Sequence, residues 1–212
     1  MADIIAEIGA RRLVPVIAIE DAADAPALAD ALEAGGLPVA EVTFRTTAAE
    51  ASIRAIAKRG DFILGAGTVL NVDNVKRAVD AGAKFIVAPG FNPKVVEYCL
   101  QQKIPITPGV ATPTEIEMAL DHNLNVVKFF PAEQLGGMNM LNALSAPYGM
   151  MNFIPTGGIT LANAAEYLKF PKVLAIGGSW MVTKGLLASK QFNKITELTR
   201  QAVDLAQQRA TI

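Results

Sequence analysis

The sequence predicts an α/β fold: a closed (β/α)8 TIM barrel forming a single domain over residues 1–212, with an extra N-terminal helix. Three observations predict it. Eight short β-branched runs alternate with segments of helical period. The runs begin roughly 20–26 residues apart, about one βα unit. The chain has 212 residues, 51% of them hydrophobic and 18% charged, enough for a large core and for a barrel with few insertions. An open doubly wound sheet is the alternative. It typically has fewer strands, and no Gly-x-Gly-x-x-Gly turn follows the first run here.

The elements follow in order. A short amphipathic, acidic helix over 3–9 opens the chain, and the first strand is 13–19. A helix over 25–34 ends at Gly35 and leads to the second strand, 39–44. A helix over 48–58 ends near Gly60, before the third strand, 62–65. A helix over 72–81 ends at Gly82, before the fourth strand, 85–88. Asn92-Pro93 caps a helix over 94–101 that leads to the fifth strand, 104–107. Thr112-Pro113 caps a helix over 114–121 that leads to the sixth strand, 126–130. The seventh strand is 152–155, a helix spans 161–168, and the eighth strand is 173–176. A last helix over 192–208 closes the chain. Residues 31–36, 78–83 and 119–124 echo one another ahead of strands two, four and six, as a repeated α/β architecture would.

Composition excludes several functions. The chain has 19 basic and 20 acidic residues, so no basic face for nucleic acid is indicated. One cysteine, Cys99, allows no intrachain disulfide and suits a reducing cytosol. With one histidine, His122, a His/Cys zinc site is not expected, although carboxylate-held magnesium stays open. No apolar run approaches the ~20 residues of a membrane span, and the N-terminus lacks the pattern of a signal peptide. The expected location is the cytoplasm. Cys99 reads as packing, His122 as a surface or capping residue, and Arg11-Arg12 as a solvated helix end. Met138, Met140, Met150 and Met151 read as gap fillers or as part of an oligomer contact.

Polar groups at C-terminal strand ends point to the site, because such barrels place their active sites there. In the second strand, period-two alternation puts Val39, Glu41, Thr43 and Arg45 on one face and Ala40, Val42 and Phe44 on the other. The apolar face belongs under the helices, so Glu41, Thr43 and Arg45 point into the barrel. In the sixth strand Lys128 stands between two valines and two phenylalanines. Either it snorkels to solvent, or it is a desolvated amine able to attack a carbonyl. The inward Glu41 carboxylate favours the second reading. Tandem glycines end strands seven (Gly157-Gly158) and eight (Gly177-Gly178, then Ser179), where barrels of this type hold phosphate on backbone amides. Gly65-Ala66-Gly67-Thr68 adds another close backbone approach and a hydroxyl.

The segments Glu41-Val42-Thr43-Phe44-Arg45-Thr46, Gly65-Ala66-Gly67-Thr68, Lys128-Phe129-Phe130-Pro131-Ala132-Glu133, Pro155-Thr156-Gly157-Gly158-Ile159 and Gly177-Gly178-Ser179-Trp180 resemble the class I 2-keto-3-deoxy-6-phosphogluconate (KDPG) and 4-hydroxy-2-oxoglutarate aldolases. The resemblance covers nearly the whole chain. It implies a lyase that cleaves 2-dehydro-3-deoxy-6-phosphogluconate to pyruvate and glyceraldehyde 3-phosphate, with side activity on 4-hydroxy-2-oxoglutarate, as in the Entner-Doudoroff pathway. Lys128 forms the imine and Glu41 is the general base. Arg45, Thr68 and Thr156 hold the pyruvyl carboxylate, and Pro89 and Phe130 flank the reacting carbons. Gly157, Gly158, Gly178 and Ser179 hold the phosphate. The resemblance implies neither metal nor cofactor, because the imine nitrogen is the electron sink. It also implies a homotrimer and, as partners, only phosphorylated keto-sugar acids and pyruvate, with no nucleic acid and no membrane. Two alternatives stay open: a non-covalent phosphate-binding isomerase or synthase using Glu41 and Lys128, and a non-catalytic binder of phosphorylated sugar acids.

Overall fold

The computed structural model describes residues 3–207. Asp3 accepts hydrogen bonds from the amides of Ile5 and Ala6 and starts α1 (Ile4–Arg11), the extra helix. Then come β1 (Leu13–Ile17), α2 (Ala25–Ala34), β2 (Val39–Thr43), α3 (Ala49–Ile56), β3 (Ile63–Gly67), α4 (Val72–Asp80), β4 (Phe85–Val87) and α5 (Pro93–Gln101). The second half holds β5 (Ile106–Thr107), β6 (Gly109–Val110), α6 (Pro113–Asp121), β7 (Val126–Phe129), α7 (Gly137–Ser145), β8 (Asn152–Pro155), α8 (Leu161–Lys169), β9 (Ile176–Gly178), α9 (Lys184–Ala188) and α10 (Phe192–Gln207). Gln208, the expected last residue of that helix, lies outside the described residues.

Every strand pairing is parallel. The order is β5-β4-β3-β2-β1-β9 in one sheet and β6-β7-β8 in the other. Pro108 separates β5 from β6, so this single run pairs with β4 on one side of the proline and with β7 on the other. A bridge between Thr156 and Gly177 closes the opposite seam. Counting β5–β6 as the fifth strand, eight strands form the barrel, as the alternation of runs predicts.

Several boundaries differ from expectation. The fifth strand lies two residues further on, because Pro105 and Pro108 set its limits. The eighth runs through Gly177 and Gly178, which pair with Val14 and Pro15 and so are strand and not loop. Helix α3 ends at Ile56, leaving Gly60 in the turn beyond it. Helices α7 and α9 have no counterpart in the sequence pattern: α7 begins on two glycines in left-handed conformation without a side-chain cap, and α9 has five residues. Arg12 is not a solvated helix end. It adopts φ 61°, and its guanidinium donates to Leu168 O at 2.6 Å and Val173 O at 3.3 Å, with burial lowering its pKa. Met151 is buried, whereas Met150 is 60% exposed and fills no gap.

The sequence echo has a structural counterpart. Leu37 donates to Leu32 O, Ala83 to Ala78 O and Leu124 to Ala119 O, each at 2.9 Å. Gly36, Gly82 and Asn123, one residue earlier, take positive φ and donate to Glu33 O, Val79 O and Leu120 O. These are Schellman closures, which turn each helix end back toward the next strand. Lys103 after α5 and Lys190 after α9 do the same. His122 is the C-cap of α6, its Nδ1 2.7 Å from Met118 O, in keeping with the capping role expected for it.

The core lies between the strands and the helix ring. Phe62, Phe129, Phe153 and Tyr167 are fully buried there, as is Cys99, whose thiol burial pushes up to about 12. Phe85 points into the barrel and Gly65 accommodates it: a Cβ there would collide with the ring.

Candidate active site

The strand registers decide which side chains share the barrel interior. Val16 aligns with Glu41, Glu41 with Gly65, and Gly65 with Phe85. Gly109 aligns with Lys128, and Lys128 with Ile154. Aligned residues in a parallel pair point the same way. The inward face thus carries Glu41 and Thr43, as the parity of strand two predicts, together with Lys128, Ile154 and Thr156. Phe44 points outward, with the Arg77 guanidinium 5.6 Å above its ring.

The buried lysine and glutamate meet inside. Lys128 is 5% exposed and Glu41 3%, and Lys128 Nζ donates to Glu41 Oε1 at 3.3 Å across the barrel. The ammonium also stands 5.2 Å from the centroid of the Phe130 ring, a cation–π distance. Burying an ion costs several kcal/mol unless it is paired, so the lysine and the glutamate depend on each other. Gly67 makes the pairing possible: a Cβ there would collide with the Glu41 carboxylate.

The remaining predicted residues gather at the same barrel end, because every strand runs the same way. Arg45 lies two residues past β2, Thr68 directly after β3, Pro89 two residues past β4 and Phe130 directly after β7. Thr156, Gly157 and Gly158 follow β8; Gly178 is the last residue of β9 and Ser179 the next. Arg45 and Ser179 are exposed, and Thr68, Pro89 and Phe130 half-buried. The Pro89 carbonyl packs against Gly109, where a Cβ would collide with it. Thr156 Oγ1 donates to Ile154 O at 3.3 Å, and its side chain occupies the space that a Cβ on Gly177 would take.

Thr68 stands apart in its backbone. Of the five non-glycine residues with positive φ among the described residues, the other four end helices, while Thr68 (φ 56°) follows a strand and is β-branched. That conformation costs about 1–3 kcal/mol, and such strain clusters at functional sites.

The glycine loops divide into two kinds. Gly157 and Gly158 have φ of 102° and 77°, values that glycine alone adopts without strain. Gly178 has ordinary strand geometry and is buried, and a Cβ there would run into the Trp180 ring. Glu133, to which the sequence assigns no role, braces this end of the barrel. Glu133 donates its amide to Gly157 O at 3.1 Å, packs against Gly158, and accepts a hydrogen bond from the buried Tyr167 hydroxyl. It ties the loop after β7 to the loop after β8 and to α8. Burial, then the bond to Glu133, push the Tyr167 phenol pKa upward. The signal available was a carboxylate inside the Lys128–Glu133 segment with no role assigned to it.

Residues 4–198 match the family model described as KDPG and KHG aldolase. The chain is 51% identical over 195 residues to the 2-dehydro-3-deoxy-phosphogluconate aldolase of Treponema pallidum (strain Nichols), covering 92% of this chain and 93% of that one. It superposes with a TM-score of 0.91 and 39% identity on KDPG aldolase from Legionella pneumophila, which holds pyruvate captured at low pH as a covalent carbinolamine intermediate; 95% of this chain and 98% of that one are covered. It superposes with a TM-score of 0.90 and 40% identity on the KDPG aldolase of Zymomonas mobilis ZM4 with 3-phosphoglycerate, covering 97% of each chain.

Proposed function

The chain belongs to the KDPG and KHG aldolase family, and from that premise we propose how its own residues carry out the reaction. It is a class I lyase that cleaves 2-dehydro-3-deoxy-6-phosphogluconate to pyruvate and glyceraldehyde 3-phosphate through a Schiff base. Activity on 4-hydroxy-2-oxoglutarate accompanies it.

The observation that carries this reading is the buried Lys128–Glu41 contact at 3.3 Å. An ammonium cannot attack a ketone. Passing its proton to Glu41 frees the Lys128 amine, which adds to C2 of the substrate; Glu41 then returns that proton to the carbinolamine hydroxyl, which leaves as water and gives an iminium ion. Glu41, as carboxylate, then takes the proton from the C4 hydroxyl, through a water molecule where reach requires it. The C3–C4 bond breaks, its electron pair moves onto the iminium as an enamine, and the aldehyde leaves. Protonation at C3 and hydrolysis release pyruvate and restore Lys128. Arg45 holds the carboxylate with its planar fork, helped by the Thr68 and Thr156 hydroxyls. Pro89 and Phe130 flank the reacting carbons. Gly157, Gly158, Gly178 and Ser179 bind the phosphate, where φ values of 102° and 77° in the first two support amides turned toward an anion. The imine nitrogen is the electron sink, so the mechanism calls for no metal or cofactor.

We read residues 1–212 as one such domain, acting in the cytoplasm on phosphorylated keto-sugar acids in the Entner-Doudoroff pathway, as a homotrimer. No helix among the described residues is long and apolar enough to cross a membrane.

The test is intact-mass spectrometry after incubation with pyruvate and cyanoborohydride. One pyruvate-sized addition per chain, mapped to the peptide containing Lys128, is the expected result. Turnover without an adduct would overturn the imine mechanism in favour of non-covalent proton transfer by the same pair.

A further inference from the structure

Thr43 is 1% exposed and lies on the inward face of β2, between Glu41 and the barrel mouth. Its hydroxyl has a single proton, which it donates to Ile17 O at 2.8 Å. What remains is acceptor capacity, and Arg45 Nε donates into it at 3.0 Å. One residue beyond Arg45, Thr46 Oγ1 donates to Ile19 O at 2.5 Å. Arg45 is thus flanked by two threonines, one anchored to the last carbonyl of β1 and the other to Ile19, two residues beyond it. Its side chain is held by Nε, which leaves both terminal nitrogens for a two-pronged grip, and among the described residues these form no ion pair or hydrogen bond.

We propose that Thr43 is a positioning residue: its hydroxyl presets Arg45 as a receptor for the carboxylate of the 2-oxo acid, acting through Arg45 and not on the reacting carbons. This rests on the carboxylate-binding reading of Arg45. A preset guanidinium loses less rotational freedom on binding, so the hydroxyl contributes to capture of the oxo acid more than to bond cleavage.

The experiment compares Thr43→Val, Thr43→Ser, Arg45→Ala and Thr43→Val/Arg45→Ala with the wild type. KM and kcat for cleavage and the pyruvate concentration at half-maximal imine trapping are measured for each, with circular dichroism to verify folding. Thr43→Val keeps the shape and removes the hydroxyl. It is expected to raise KM and the trapping midpoint about tenfold with kcat within about twofold. Thr43→Ser restores the wild-type values, and Thr43→Val adds nothing once Arg45 is alanine. An equal effect of Thr43→Val with and without Arg45 would overturn the proposal, as would a loss confined to kcat. If Arg45→Ala itself leaves pyruvate capture unchanged, the carboxylate reading of Arg45 fails first and the role of Thr43 falls with it.

Discussion

Replacing Lys128 with methionine tests stability as well as catalysis. The Lys128 and Glu41 side chains are 7% and 4% exposed, and the 3.3 Å contact is the only side-chain hydrogen bond of the Glu41 carboxylate among the described residues. Methionine fills most of the lysine volume, so little cavity forms. What is lost is the countercharge of a buried anion, and removing one partner of a buried pair costs about 3–5 kcal/mol. For a domain of this size each kcal/mol moves Tm by about 2–4 °C, so the expected fall is roughly 6–20 °C. Replacing both partners, as Lys128→Met/Glu41→Met, removes the charges together and should recover most of that loss, because apolar replacements of buried pairs are often neutral or stabilising. Neither variant should cleave substrate. Equilibrium unfolding in urea, read as a shift in midpoint at constant slope, measures both. A double variant as unstable as the sum of the two single ones would show that Lys128 and Glu41 are not energetically coupled. Lys128→Met with wild-type stability would refute the reasoning outright.

Other outcomes can be measured alongside. Gly67→Ala places a methyl group against the Glu41 carboxylate and should lower kcat about 100-fold in the coupled assay, while Gly60→Ala, which has open space around it, leaves kcat unchanged. Tyr167→Phe removes the hydroxyl that donates to Glu133; thermal melting should show a loss of about 1.5–3 kcal/mol, and the KM for phosphorylated substrate should rise while trapping by pyruvate stays the same. The Cys99 thiol, held up to about 12 by burial, should resist disulfide reagents at pH 8 until the protein unfolds. Above the thiol's ordinary pKa the unfolded chain binds fewer protons than the folded one, so this group's contribution lowers stability as pH rises from about 8.5 toward 12. A urea midpoint that rose over that window because of Cys99, judged against Cys99→Ala, would contradict the sign.

Local chemistry explains why some of this was legible in the sequence and some was not. Period-two alternation in Val39–Thr43 is a local property and puts Glu41 on the interior face, whereas strand six is apolar on both faces, so only the inward Glu41 carboxylate, 87 positions away, favours a buried Lys128. Capping residues such as Thr112, with its reciprocal Glu115, mark helix starts through bonds spanning three residues. The break at Pro108 was hidden, because a two-residue strand on each side gives no periodicity to detect. Glu133 was hidden for a different reason: its partner Tyr167 lies 34 residues away on a helix whose orientation only the closed barrel defines. Arg12 misled because two arginines at a helix end resemble a solvated terminus, while the carbonyls that bind Arg12 belong to residues 168 and 173.

The interior of the barrel is shaped in part by side chains that are not there. Positions 65, 67, 109 and 177 all face inward, and at each a single carbon would occupy space already taken by Phe85, Glu41, the Pro89 backbone or Thr156. Alanine scanning assigns importance by deleting groups, and at these positions it adds one. A deep mutational map of this protein should therefore show an inversion: tolerance at several positions that touch the chamber through large side chains, and near-complete intolerance at residues contributing no side-chain atom. Design that aims to admit a bulkier aldehyde has correspondingly few places to gain room. The glycine positions are already at the minimum, so new volume must come from shortening the side chains they accommodate.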